Sequence, residues 1–182
     1  MALRDAQEHM DRALEALRRD FSGVRTGKAS PGLLDSVRVD AYGSKMPLNQ
    51  VATVSVPEPR MMIVQPWDKT LIGAVDKAIR AAELGLNPAS DGNVLRVPIP
   101  ALNEERRKEM VRLLHKLAEE CRVTVRHARQ EANKEIKRRE HEHEIGLDDA
   151  RRQLDEIQKL TDEYIEKVDH LLKAKEEEVM EV

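Results

Sequence analysis

The chain has 182 residues, of which 40% are hydrophobic and 36% charged, with a formal net charge of −3. Aromatics make up 2% (Phe21, Tyr42, Trp67 and Tyr164), so the core must be aliphatic, and a lone Cys121 excludes an internal disulfide framework. No apolar run approaches the roughly 18 residues that span a bilayer, and Met1-Ala-Leu-Arg-Asp5 enters an acid-containing helical pattern rather than a targeting segment, so a cytoplasmic protein with no membrane partner is expected.

Leu3, Ala6, Met10, Leu14, Leu17, Phe21 and Val24 recur at intervals of three and four, the mark of one apolar helical face. That pattern ends where the prolines begin. All eight lie between Pro31 and Pro100. Each would delete a helix hydrogen bond and clash with the preceding turn, at about 3 kcal/mol. The two flanks can therefore be long helices, and the middle cannot.

Within the middle the period changes to two. Val37, Val39 and Ala41 alternate with polar residues, residues 51–56 alternate likewise, and Met61 to Gln65 reads as a buried strand. Asp68 can cap a short helix built on Leu71, Val75, Ile79 and Ala82 that stops near Gly85. Asn87-Pro88 and Asp91-Gly92 are turn signals, and Asn93 to Val97 reads as a last strand.

Helical periodicity returns at Asn103, a good N-cap followed by Glu104 and Glu105. Its stripe is Met110, Leu114, Leu117, Cys121, Val125, Ala128, Ala132 and Ile136. The pattern breaks at Gly146 and restarts on Asp148-Asp149. The last stripe is Leu147, Ala150, Leu154, Ile157, Thr161, Tyr164, Val168 and Leu171, widened by Leu160, Ile165 and Leu172. Three such stripes can cover one another in an antiparallel bundle. The expected fold is α+β: an elongated antiparallel three-helix bundle (1–29 and 103–182) with an inserted small β/α/β domain (30–102). Tethers at Thr26–Gly32 and Pro98–Leu102 join the two domains, and Gly27 and Gly32 are candidate hinge residues.

Four stretches are distinctive together. Val24-Arg-Thr-Gly-Lys-Ala-Ser-Pro31, Leu84-Gly-Leu-Asn-Pro88, Arg96-Val-Pro-Ile-Pro100 with Glu104 to Glu109, and Val125 to Asn133 resemble ribosome recycling factors, in order and with compatible spacing across the whole chain. The resemblance implies a translation factor of the 70S ribosome. Such a factor would act with elongation factor G on post-termination complexes, separating the subunits and freeing messenger and transfer RNA. It implies a bundle contacting large-subunit ribosomal RNA, a domain pushed by elongation factor G, and hinge positions at Gly27, Ser30, Pro31, Gly32, Pro100 and Leu102. GTP would belong to the partner and the factor itself, a monomer, would hold no cofactor. Family chains commonly carry Arg at Lys28, Pro at Ala101, Thr at Asn103 and Arg at Gln130. The last departure removes a cation from the matching segment.

The charge distribution gives an independent reason for RNA binding. Residues 101–140 hold 12 Lys/Arg against 8 Asp/Glu, whereas residues 141–182 hold 6 against 14. Arg122, Arg126, Arg129 and Lys137, with Asn133 between them, form a cationic ridge beside the apolar stripe. Planar guanidinium groups suit phosphate. Taken alone, such a run reads more readily as a solvated helix face paired with Glu131 and Glu135, and the family match at Arg126, Arg129 and Asn133 reverses that weighting toward RNA. Arg106 and Arg107 oppose the macrodipole at a helix start, which suits either use in RNA or interdomain contact or the alternative of ordinary exposed arginines.

The pair His141 and His143 does not share a helix face, so a metal site is not expected. Neither a phosphate-binding loop nor a nucleophile–base pairing occurs, so the protein is not expected to be an enzyme. A helical adaptor or chaperone-like protein is the alternative reading; it would need neither the insert nor its paired tethers.

Overall fold

A computed structural model describes residues 2–181. Among the described residues, four helices and six strands follow in the order α1 (Ala2–Ser22), β1 (Arg38–Ala41), β2 (Ser44–Pro47), β3 (Ala52–Glu58), β4 (Met61–Pro66), α2 (Ile72–Ala81), β5 (Ala89–Asp91), β6 (Val94–Pro98), α3 (Glu104–His141) and α4 (Leu147–Met180). By contacts the chain falls into two compact units. One comprises residues up to Phe21 together with Val111–Glu181; the other is Ser22–Met110. The second runs eight residues past the 30–102 segment at each end.

In the helical unit, α1 buries Ala2, Ala6, Met10, Leu14, Leu17 and Phe21. Leu3 is exposed, its expected place taken by Ala2, and Val24, though buried, lies beyond the helix end. The 38 residues of α3 extend about 57 Å at 1.5 Å each. This helix buries Leu114, Ala118, Cys121, Val125, Ala128, Ala132 and Ile136, with Met110 and Leu117 only half-buried. Ala2 and Ala6 share a core cluster with Ala132, Ile136, Ala150 and Ile157. The start of α1 thus meets the end of α3 and the start of α4, the up-down-up order of an antiparallel three-helix bundle.

Two further contacts fix that register: Cys121 Sγ donates to the Ala13 carbonyl at 3.5 Å, and the Tyr164 hydroxyl donates to Asp11. Lys167 lies 4.5 Å over the Tyr164 ring. On α4, Leu147 is exposed and Leu172, rather than Leu171, is the buried residue of the last turns, followed by Val179. An ideal helix drifts relative to a strict heptad, so the buried column shifts by one residue along a long helix.

In the second unit, β3, β4, β6 and β5 form an antiparallel sheet in that order, and β1–β2 is a separate hairpin. Met62, Val64, Leu95 and Val97 on one sheet face pack with Val75 and Ile79 of α2 and with Val37, Val39 and Ala41. Pro57 is tolerated because β3 is an edge strand whose register shifts between Ser55 and Glu58. The sequence pattern does not predict β2 and β5. One is four half-polar residues, the other three exposed ones, and neither carries an alternating pattern. Asp68 caps a short 3₁₀ turn (Lys69–Leu71) through its bond from Thr70 N, and α2 follows directly. That helix ends at Ala81, with Glu83 in the left-handed conformation before Gly85 is reached.

Candidate nucleic-acid interface

The segment carrying the ridge is positioned by the start of α3. The Asn103 side chain accepts from Arg106 N at 2.8 Å, satisfying one of the orphan N–H groups of the first turn. Arg106 extends along the helix to Glu109 at 3.2 Å, and Arg107 is half-buried. Both lie in the Ser22–Met110 unit, whereas residues 122–137 lie in the bundle.

Along the ridge the four cations have different surroundings. Arg122 Nη2 and Nε reach Asp169 Oδ1 on α4 at 2.6 and 3.1 Å, and its Nη1 reaches Glu119 at 3.1 Å. Only 18% of that side chain is exposed. Arg122 therefore differs from the ridge expectation: it is committed to two carboxylates and braces α3 against α4. Arg126 donates to Glu119 at 2.9 Å and keeps 45% exposure. Arg129 meets Gln158 of α4 at 3.4 Å, a weak bond that leaves most of its donors unused. Lys137 is exposed, and Asn133 is half-buried with its Oδ1 covered and unpartnered.

Glu131 and Glu135 do not neutralise these groups. Glu135 is engaged with Arg138 at 2.8 Å, close to the turn between α3 and α4 where Arg138 also bonds Glu142 and Glu144. The donors on Arg126, Arg129 and Lys137 thus lie along one exposed flank of α3, and α4 beside it is acidic. Such an arrangement can bind a phosphate backbone by charge and by paired N–H donors. Two residues escaped the sequence reading. Glu119 could have been found three and seven positions before the arginines; Asp169 could not, since it meets Arg122 only through the fold.

The tether residues are held within their own unit. Ala29 N donates to Pro59 O at 2.6 Å, and Ile99 N to Arg60 O at 2.8 Å. Ser30 precedes the 3₁₀ turn Pro31–Leu34, and Leu33 N donates back to Ser30 O at 3.1 Å. Gly27 takes φ +78°, a conformation that favours glycine, with buried Leu102 as its near neighbour. Among the described residues no helix is long and apolar enough to cross a membrane.

The family model described as "Ribosome recycling factor" matches residues 17–180. A ribosome-recycling factor of Chelativorans sp. is 52% identical over 179 residues, spanning 98% of this chain and 96% of that protein. One from Symbiobacterium thermophilum is 49% identical over 180 residues, 99% and 97% of the two chains. A solution structure of ribosome recycling factor superposes with a TM-score of 0.80 at 45% identity, covering 100% of this chain and 96% of that one. The T. thermophilus ribosome recycling factor, described with E. coli elongation factor G as bound to the E. coli post-termination complex, gives a TM-score of 0.71 at 44% identity over 99% and 97% of the chains. Matched from end to end in sequence and in fold, the chain belongs to the ribosome recycling factor family.

Proposed function

We propose that this protein disassembles the post-termination ribosome together with elongation factor G, separating the subunits and releasing messenger and transfer RNA. The observation that carries the reading is the near-complete match to a relative described on a post-termination complex beside that GTPase. The bundle holds large-subunit ribosomal RNA through Arg126, Arg129 and Lys137, with Asn133 between them, and Arg106 and Arg107 add further contacts from the Ser22–Met110 unit. Elongation factor G acts on the Ser22–Met110 unit, and bending is concentrated near Gly27 and Leu102. GTP hydrolysis belongs to the partner; this chain works by binding alone, as a monomer in the cytoplasm. The adaptor alternative loses its ground because the family match covers the smaller unit as fully as the helices.

Light scattering of post-termination ribosomes mixed with the protein, elongation factor G and GTP tests the proposal. Scattering should fall as subunits part, and no fall would refute it. For the ridge, Arg129→Ala should weaken binding to large ribosomal subunits and make the logarithmic salt dependence shallower by about one unit. Unchanged affinity and slope would remove Arg129 from the interface.

A further inference from the structure

Of the ridge residues, Arg122 and Arg126 are joined through one carboxylate. Glu119 accepts from Arg122 Nη1 on Oε2 at 3.1 Å and from Arg126 Nη1 on Oε1 at 2.9 Å. Arg122 is itself fixed from the neighbouring helix by Asp169, which takes both its Nε and its Nη2. An unbroken series of charged hydrogen bonds therefore runs from α4 through Asp169, Arg122 and Glu119 to Arg126. Both oxygens of Glu119 are used, so its orientation is set from two sides.

We propose that Glu119 is a positioning residue for RNA contact: held by Arg122 and Asp169, it orients the Arg126 guanidinium for a phosphate. The inference rests on the ridge reading given above. A carboxylate beside a phosphate site is unfavourable by charge alone, so its presence needs a compensating effect, and side-chain order supplies one. A loose arginine gives up much rotamer freedom when it docks, whereas Arg126 has given up part of it beforehand. Only one of its five N–H donors goes to Glu119, and the side chain remains 45% exposed. That exposure suits presentation rather than masking. The geometry follows from the helix, where side chains lean toward the N-terminus and Arg126 reaches back over the two turns separating it from Glu119.

A double-mutant cycle on the full-length protein tests this, using dissociation constants for large ribosomal subunits at fixed salt. Arg126→Ala should cost about fivefold in the wild-type background. In the Glu119→Ala background, which removes both acceptor oxygens so that Arg126 is no longer held, the cost should shrink to less than about twofold. An equal cost in both backgrounds, meaning independent charges, or a larger one once Glu119 has lost its charge, meaning a mask, would overturn the proposal. Should Arg126→Ala cost nothing while Arg129→Ala does, the positioning role falls and the ridge stands; if neither costs anything, the ridge falls with it. A second readout needs no RNA. In nitrogen-15 spectra of the free protein the Arg126 guanidinium should rotate slowly, and Glu119→Ala should free it while leaving Arg122, still bound by Asp169, slow. An Arg126 signal unaffected by Glu119→Ala refutes the mechanism.

Discussion

A methyl group added at Gly32 would lie 2.7 Å from the Ser22 carbonyl oxygen and 2.8 Å from its Cβ, with backbone rather than a pliable side chain in the way. Gly32→Ala should therefore destabilise the Ser22–Met110 unit by about 1–3 kcal/mol, the range for overpacking, read as a lower urea midpoint. Gly27→Ala meets no such wall, its nearest neighbours being 3.6 Å away or more, and its cost comes from the positive φ alone. Tyr164 offers a different measurement. Burial and then the bond to Asp11 push its hydroxyl up to about 12. The folded state therefore holds that proton more tightly than the unfolded chain, whose tyrosine titrates near 10. The associated stability is complete below about 10 and is lost as pH rises toward 12. Tyr164→Phe should lower stability at pH 7 by about 1 kcal/mol and flatten the alkaline decline; an equally steep decline in the variant would contradict the assignment.

Each long helix owes its ends and its face to a few side chains. Asn103→Ala removes the bond to Arg106 N and should cost about 1 kcal/mol in unfolding free energy, with fraying of the first turn of α3 visible by hydrogen exchange. Asp169→Ala, by contrast, leaves Arg122 partly buried without its partner on α4, and the bundle should lose more than a surface pair is worth, about 1–3 kcal/mol. The element pattern was largely open to sequence reasoning, because aliphatic residues at threes and fours have one use in a chain with so few aromatics. Strands β2 and β5 were hidden since edge pairing needs no apolar alternation. Arg122 shows the limit of such spacing: it places the residue on the ridge beside Arg126, while the carboxylate that Arg122 bonds on α4 is 47 positions away. Charge spacing along a helix reports which side a residue occupies and says nothing of what the next helix brings to meet it.

For the molecule as a whole, two cores mean two sets of responses. Ile79 is fully buried in one unit and Ile157 in the other. Changing either to Ala should cost about 2–5 kcal/mol, with Ile79→Ala speeding hydrogen exchange chiefly in 22–110 and Ile157→Ala chiefly in the helices. Equal acceleration everywhere would show one cooperative block. The joins at Ala29 and Ile99 carry a mechanical corollary. Because they bond the adjacent residues Pro59 and Arg60, the places where the polypeptide enters and leaves the sheet unit are side by side. Tension pulled along the backbone would cross that short gap as through a closed clasp, so the strands beyond it would bear little load while a motor tugged.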